Sequence, residues 1–272
     1  MTTADSIQRA LTGFLSSHPN NRLESGDAIY DDPLVGVAGA NDTYFEQLKT
    51  QGIIGDVFQT PGEWLDGASS VVSFFLPFSE AIRKSNRPDG TPSVEWLHGR
   101  FKGEIMNNEA KRFVVSLLQK EGRQALSPTL DPRFVQTDDF RSSWSERHVA
   151  FVAGLGTFGL SRGLITARGI AGRFGSVVTN LEIPVTPRPY SDPFEYCLTL
   201  SGKAECGLCI SRCPAGAITS KGKAHPPCSD YLRAADLLKE IRAKHGYSYS
   251  ACGKCQTGVP CEARIPLPTN YR

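Results

Sequence analysis

The eight cysteines of this 272-residue chain all lie in its last quarter, at or beyond position 197. The sharpest run is Cys-x2-Cys-x3-Cys-Pro over 206–214, and an imperfect second copy is the Cys-x2-Cys at 252–255. Structural cysteines are usually scattered through a core, whereas cysteines at such short spacings are typical of metal ligands or disulfides. The clustering therefore predicts a short cysteine-rich domain after a larger part without cysteine.

The spacing indicates ligands for iron–sulfur clusters. In bacterial two-cluster ferredoxins the cysteine run ends in Cys-x3-Cys-Pro, and its last cysteine binds the other cluster. Two four-iron clusters need eight thiolates, which is the number that this chain has. A zinc ribbon also uses paired Cys-x2-Cys motifs, but it needs only four cysteines and does not explain the Cys-Pro ending.

Disulfides are the other common use of clustered cysteines, and they are typical of secreted proteins. The first residues, Met1–Asp5, show neither a basic region followed by an apolar core nor a twin arginine. We therefore expect a reducing compartment and a cytoplasmic location, in which thiols stay available for metal.

One position departs from the bacterial run, because Lys203 stands where its first cysteine would be. Cys197 is the only upstream substitute, although it can equally be a small buried apolar residue. The crossed pattern of such double motifs assigns four cysteines to each cluster. One cluster has Cys197, Cys206, Cys209 and Cys261, and the other has Cys213, Cys228, Cys252 and Cys255.

The composition excludes some partners. Apolar residues make up 40% of the chain and charged residues 21%, which is ordinary for a globular protein. The net charge of +2 predicts no strong attraction of polyanions, and no apolar run approaches the roughly 18 residues of a spanning helix. We expect no membrane partner, and nothing in the composition demands nucleic acid.

The residues before the cysteines alternate between helical and strand patterns, which predicts an α/β or α+β layer structure. A capping box, Ser143-x-x-Glu146, predicts the start of one of the helices, which should end at Gly154. We expect an α/β cofactor and substrate domain over 1–190 and a cluster domain over 191–272. The predicted helices lie at 6–16, 99–122 and 147–153, and the predicted strands at 71–77 and 174–179.

A glycine motif, Gly154-x-Gly156-x-x-Gly159, matches the dinucleotide-binding fingerprint. That fingerprint needs a strand before it and a helix after it, whereas here a capped helix comes first and more glycines follow. A Rossmann site is therefore not expected. Two interpretations stay open: a backbone-exposing loop that approaches a flat or phosphate-bearing ligand, or a tight connection between a helix and a strand.

The order of these features resembles the epoxyqueuosine reductase family, relatives of the reductive dehalogenases. The shared features are the apolar strand ending at Pro77, the helix leading into 153–156, Gly159, the cysteine run followed by 214–218, and Cys228. The resemblance covers roughly residues 65–262. It implies a nitroreductase-like domain that holds cobalamin against a ferredoxin-like domain with two 4Fe–4S clusters, which pass single electrons to cobalt.

The resemblance also implies where the corrinoid lies. It would run along the glycine loop, with the serine after Cys228 close by. These candidate residues are Gly156, Gly159, Leu160, Ser161, Arg162, Gly163, Leu164 and Ser229.

The chain departs from the family in three places. Lys203 replaces a cluster cysteine, residues 157–160 lack the family's tryptophan-containing loop, and the helical-repeat domain of many family members is not found after Cys261. We therefore expect a shorter paralogue that acts on a small molecule and not on tRNA, with an external low-potential donor such as ferredoxin or flavodoxin.

Reductive removal of oxygen or halide leaves a basic centre, so a proton donor is needed. Asp138 and Asp139 can raise one another's pKa, and burial would add to the rise. The resemblance favours Asp139, because the family's catalytic aspartate precedes the same helix. The alternative is a solvated Asp-Asp-x-Arg loop. Tyr190 and Tyr30 are fallback donors, and Arg141, Arg147 and His148 are candidates for binding an anionic substrate.

Three functions are compatible with this pattern. The first is a cobalamin-dependent iron–sulfur reductase. The second is a ferredoxin-like electron carrier without its own catalysis, which would not need the large first domain. The third is a flavin-containing reductase with FMN in place of cobalamin, because nitroreductase-like folds suit flat cofactors.

Overall fold

The computed structural model describes residues 1–248 and 250–268. Within these ranges the helices are α1 (Ala4–Ser17), α2 (Thr43–Gln47), α3 (Pro61–Trp64), α4 (Glu80–Ser85), α5 (Val94–Gln119), α6 (Glu146–Val152), α7 (Leu208–Ser211), α8 (His225–Ala234) and α9 (Asp236–His245). The strands are β1 (Leu34–Gly39), β2 (Ser70–Pro77), β3 (Ala125–Leu126), β4 (Gly156–Phe158), β5 (Leu164–Thr166), β6 (Gly172–Thr179), β7 (Ile218–Thr219) and β8 (Gly222–Lys223).

A four-stranded antiparallel sheet in the order β1-β2-β6-β3 forms the centre of the fold. β2 and β6 pair from Ser70 opposite Thr179 to Pro77 opposite Gly172. Every residue of β2 is buried, as its continuous apolar run predicts. The strands predicted over 71–77 and 174–179 are therefore confirmed.

Helices cover both faces of this sheet. Val72 and Phe74 of β2 belong to the core that contains α1 and α5, whereas Val71 and Phe75 belong to the core that contains α6. This division follows from the two-residue period of a strand, which sends alternate side chains to opposite faces. The result is a mixed α/β fold with an antiparallel sheet, as the α+β alternative predicts.

The helix predicted over 99–122 begins earlier, at Val94, because the Ser93 hydroxyl accepts a hydrogen bond from the Trp96 amide (3.1 Å). The helix predicted over 147–153 is confirmed as α6, but the capping box is wrong. Glu146 turns into the core and accepts hydrogen bonds from the hydroxyls of Thr129 (2.9 Å) and Ser176. Burial raises the pKa of this carboxyl.

The glycine motif folds as a β-hairpin of β4 and β5 that directly follows α6. A side chain at Gly156 would overlap the carbonyl oxygen of Ile165 on the facing strand. A side chain at Gly163 would overlap Ile170. A helix therefore precedes the motif, one hairpin strand contains Gly156 and the other follows Gly159, which differs from the strand and helix that a dinucleotide fingerprint needs. Close packing across the hairpin explains the glycine at 156.

In the described residues of the cysteine-rich part, the elements are short: α7 to α9 and the hairpin of β7 and β8. It packs against the loop that follows α4, where Asn86 contacts the 252–257 segment. Over 1–248 and 250–268, no helix is both long and apolar enough to cross a membrane.

Candidate functional site

Four cysteines line one cavity beside the β4–β5 hairpin, and we call them the first cysteine group: Cys197, Cys206, Cys209 and Cys261. The other walls are mainly apolar, with Leu160, Ile165 and Ile170 among them. The amide of Ile170 donates to the carbonyl of Cys261 (2.9 Å), which ties the last cysteine of the group to the hairpin side. Cys197 is buried and lines the same cavity as the other three cysteines.

The other four cysteines form the second cysteine group: Cys213, Cys228, Cys252 and Cys255. Cys252 interacts electrostatically with Cys255 and Cys228, and Cys255 interacts with Cys228 and Cys213. Cys209 and Cys255 interact as well, so the two groups adjoin. The structure therefore brings the eight cysteines close together, and their assignment to two clusters stays a prediction.

Burial raises the pKa of thiols in both groups. Burial, followed by the neighbouring thiols, raises the pKa of Cys209 to about 12, and burial raises the pKa of Cys252 to about 12. Such thiols are protonated at neutral pH and become thiolates only when a metal replaces the proton. In the described ranges no three His, Cys, Asp or Glu side chains converge on a point for one metal ion. Four thiols around a shared cavity suit a cluster, in which each sulfur binds a different iron.

The candidate corrinoid residues have mixed accessibility. Gly159, Leu160 and Ser161 line the cavity of the first cysteine group, and Leu164 is buried in the core around α6. Arg162 is exposed at the turn of the hairpin, with a positive φ of 61°. Any large ligand on this surface would therefore contact backbone and the Arg162 side chain. Ser229 is half-buried on α8 beside Cys228.

Positive side chains gather beside this hairpin. The Arg147 guanidinium donates to the carbonyl of Arg162. Burial, followed by the neighbouring guanidiniums of Arg173 and Arg162, lowers the pKa of Arg147. His225, the first residue of α8, interacts with Arg162 and Arg147, so the start of α8 faces the hairpin. Arg147 therefore lies where an anionic ligand beside the hairpin would meet it.

The other two candidates for anion binding, His148 and Arg141, do not offer an unpaired positive charge as the sequence predicted. Burial, followed by Arg147, lowers the pKa of His148 to about 3, so this ring is neutral at pH 7 and offers no charge to an anion. Its Nδ1 atom is 2.7 Å from the Ser145 hydroxyl. Arg141 is paired with the carboxylates of Asp139 and Asp56.

The loop over 137–141 carries the candidate proton donors on the surface. Asp139 accepts hydrogen bonds from the Thr137 hydroxyl and from Arg141 Nε (2.7 Å). These bonds, that of Thr137 first, lower the pKa of Asp139. The expected rise in pKa is therefore wrong for this conformation of the loop. Phe140 has a positive φ of 67° and stacks on His225 (5.1 Å), which joins the loop to α8.

The two fallback donors are parts of the core. The Tyr190 hydroxyl donates to the carbonyl of Phe151 (2.6 Å) and accepts from the amide of Gly156 (3.2 Å), and burial raises its pKa. Tyr30 is buried and stacks on Phe78. Both rings therefore serve packing in this structure.

Sequence reasoning missed the residues that hold the cysteine segments against the first part of the chain. Glu262, beside Cys261, is buried and accepts from Arg87 Nη2 (2.7 Å) and from the amide of Gly258 (2.6 Å). The side chain of Asn86 donates a hydrogen bond to the carbonyl of Cys252 and so holds the second Cys-x2-Cys segment. In the sequence these residues are visible only as charged and amide side chains in a predicted loop. Such a pattern does not indicate which distant residues they contact.

Sequence comparison finds no matching family model and no matching curated protein. Several solved structures have a similar fold. An epoxyqueuosine reductase from Bacillus subtilis, with its catalytic aspartate loop swung out of the active site, is 18% identical with a TM-score of 0.52. An epoxyqueuosine reductase with a modified tRNA-Tyr stem loop is 17% identical with a TM-score of 0.53. Each alignment covers 98% of this chain and 70% of the other.

A reductive dehalogenase whose structure suggests a mechanism for B12-dependent dehalogenation is 13% identical with a TM-score of 0.56. The alignment covers 97% of this chain and 38% of the dehalogenase. The resemblance that the motif order predicts is thus confirmed in three dimensions. The chain has the fold of the epoxyqueuosine reductases and the B12-dependent reductive dehalogenases.

Proposed function

We propose that this protein is an oxidoreductase that uses two four-iron clusters and a corrinoid to reduce a small substrate with single electrons. The observation that carries the proposal is the pair of adjoining cysteine groups, four thiols around one cavity and four more beside them. The fold shared with epoxyqueuosine reductases and B12-dependent reductive dehalogenases supports the same function.

In this proposal the chain divides near residue 190. Residues 1–190 form a nitroreductase-like domain for cofactor and substrate, and residues 191–272 form a ferredoxin-like domain with both cysteine groups. The first group holds one cluster and the second group the other. The electrostatic interaction between Cys209 and Cys255 supports electron transfer between the two clusters, because it indicates that a ligand of one cluster lies near a ligand of the other.

The corrinoid would lie on the β4–β5 hairpin, between Arg162 and the start of α8. The backbone of Gly159 and Gly163, the Arg162 side chain and Ser229 would contact it. Arg147 would bind an anionic group there, because no carboxylate forms an ion pair with it in the described ranges. FMN at the same place is the alternative cofactor.

Asp139 would donate the proton after its loop moves. In the present conformation Thr137 and Arg141 hold this carboxylate ionised and exposed. The Bacillus subtilis neighbour, with its catalytic aspartate loop swung out, supports such a movement. Breaking the Arg141 pair and burying the carboxyl would raise its pKa toward the working range of a general acid. Asp138 is the alternative donor.

The partners in this proposal are a small substrate and a low-potential donor such as ferredoxin or flavodoxin. A tRNA substrate is the competing possibility, since one structural neighbour was solved with a tRNA stem loop. A purely electron-carrying role is a second candidate function. The exposed Asp139 and the hydrogen-bonded Tyr190 favour it, because neither is poised as a proton donor.

The test is a metal and cofactor analysis of protein purified and reconstituted without oxygen. We expect about eight irons per chain, four for each cluster, and a corrinoid absorption spectrum that stays with the protein after incubation with cobalamin. A matched incubation with FMN distinguishes the flavin alternative. A single zinc without charge-transfer absorption would overturn the iron–sulfur assignment. Clusters without either organic cofactor would support the electron carrier.

A further inference from the structure

A lysine lies inside the second Cys-x2-Cys motif and is almost completely buried. Lys254 lies between Cys252 and Cys255 in the sequence, and the residue is only 2% exposed. Its ammonium donates to the backbone carbonyls of Asn86 (3.1 Å) and Pro88 (2.7 Å). Over 1–248 and 250–268, no carboxylate lies within ion-pair distance of this ammonium. A buried cation that meets only neutral acceptors is costly unless a negative charge lies nearby.

The surrounding contacts prevent this ammonium from turning out to solvent. Asn86 is fully buried and donates to the carbonyl of Cys252 (3.0 Å) and to the hydroxyl of Thr257 (3.1 Å). Arg212 donates to the carbonyl of Lys254 (3.2 Å). Arg212 also pairs with the nearby carboxylate of Asp89 (2.8 Å), so that charge already has a partner.

The missing negative charge is available from the second cysteine group. Cys252 interacts electrostatically with the Lys254 ammonium and accepts a hydrogen bond from the Lys254 amide. A four-iron cluster together with its four thiolate ligands has a net negative charge. Reduction adds one further negative charge. Net charge and hydrogen bonds to the sulfurs both set the reduction potential of such a cluster.

The first cysteine group has a different environment. The largest electrostatic neighbours of Cys209 and Cys261 are other thiols. The cavity walls around this group are mainly apolar. Lys203, which stands in place of a cluster cysteine, is exposed and donates to the carbonyl of Glu195 (3.0 Å). The two groups therefore differ in the charge that surrounds them.

We infer that the Lys254 ammonium is a permanent counter-charge of the cluster in the second cysteine group, in addition to Lys223 beside Cys255, and raises the reduction potential of this cluster above that of the other cluster. This inference rests on the proposed function. Reduction adds one electron to the cluster, with no bond broken and no proton moved, because the lysine stays charged. Electrons that enter at the first group would collect at the second, where Cys255 interacts with Arg147 beside the corrinoid hairpin.

The test is a redox titration of the reconstituted protein with dithionite, followed by electron paramagnetic resonance. Lys254→Met removes the charge, and Lys254→Gln removes the charge but keeps a donor for the two carbonyls. Lys221→Met, at an exposed lysine between β7 and β8, is the matched control. Cys197→Ser assigns the signals, because it perturbs only the first cluster.

We expect both Lys254 variants to keep their iron and to shift only the second cluster to a more negative potential. At the wild-type midpoint the ratio of reduced to oxidised cluster should fall about tenfold, equivalent to about 59 mV for one electron. The control should match the wild type. Unchanged potentials with intact iron would overturn the inference, and so would loss of iron from both variants, since the lysine would then be structural. A wild-type protein without iron would overturn the proposed function as well.

Discussion

The side-chain amide nitrogen of Asn86 lies 3.0 Å from the carbonyl oxygen of Cys252, and this hydrogen bond joins residues that are 166 positions apart in the sequence. It joins the loop after α4 to the second Cys-x2-Cys motif. The same side chain accepts a hydrogen bond from the Ser93 amide at the start of α5 (3.1 Å). The cysteine segment is therefore positioned by the first part of the chain as well as by its own sequence.

Asn86→Ala should weaken the site of the second cluster. The change removes the side-chain partner of the Cys252 carbonyl and of the Ser93 amide, at a cost of about 1–3 kcal/mol for each group that is left unpaired. We expect iron content to fall toward one cluster per chain, measured by colorimetric iron analysis. Asn20→Ala, at an exposed asparagine, is the control. A full complement of iron in Asn86→Ala would contradict this role.

Cys197→Ser should convert the first cluster to a three-iron or labile form, because Cys197 faces the same cavity as the other three thiols of that group. Electron paramagnetic resonance of the reduced protein checks this. The signal of the second cluster should stay, and Cys228→Ser should give the reverse pattern. If both clusters keep their wild-type spectra in Cys197→Ser, this cysteine only packs against its neighbours.

Asp139→Asn should reduce turnover by roughly 100-fold or more while iron and cofactor content stay unchanged, the usual scale for losing a general acid. Single-turnover kinetics with a reducible substrate measure the effect. Asp138→Asn tests the alternative donor on the adjacent residue, and it should keep the turnover of the wild type if Asp139 is the donor. Equal turnover in Asp139→Asn and the wild type would assign the proton to Asp138 or to solvent.

Gly156→Ala should destabilise the fold, because the new methyl group would overlap the carbonyl of Ile165 across the hairpin. We expect a loss of about 1–3 kcal/mol in the free energy of unfolding, the usual scale for overpacking. Urea denaturation measures it. Gly13→Ala in α1 is the contrasting control, since nothing lies within 4 Å of its added carbon. That variant should gain about 0.5–1 kcal/mol.

Glu104→Gln should lower stability at pH 7 and alter the acid denaturation. Burial would raise the pKa of Glu104, but Arg173 and Arg100 outweigh it and lower the pKa to about 2. The stabilisation is therefore fully present above the unfolded-state pKa of about 4.5 and is lost as the pH falls through about 2. This shift corresponds to about 3 kcal/mol at most. Urea midpoints between pH 7 and pH 2 should converge for variant and wild type, with Glu109→Gln as the control. A difference that persists at pH 2 would exclude this ion pair as the cause.

The sequence was sufficient for features that depend on local order. The run of apolar residues in β2 specifies a strand that is buried on both faces, and the cysteine spacing specifies which thiols are near each other. Each Cys-x2-Cys brings two thiols together within one turn of backbone, whereas Cys197, Cys228 and Cys261 come close to these pairs only through the tertiary fold. The assignment of four cysteines to each cluster stays a prediction.

Tertiary structure decided the features that depend on distant partners. Glu146 leaves its capping position because the hydroxyls of Thr129 and Ser176, from two other segments, donate hydrogen bonds to its carboxylate. Arg141, which pairs with Asp139, is also held by the carboxylate of Asp56 (3.2 Å), 85 residues earlier in the chain. Lys254 is buried because the loop at Asn86 and Pro88 offers it carbonyl oxygens. The charge and accessibility of these groups depend on contacts between residues far apart in the chain, which periodicity and spacing do not encode.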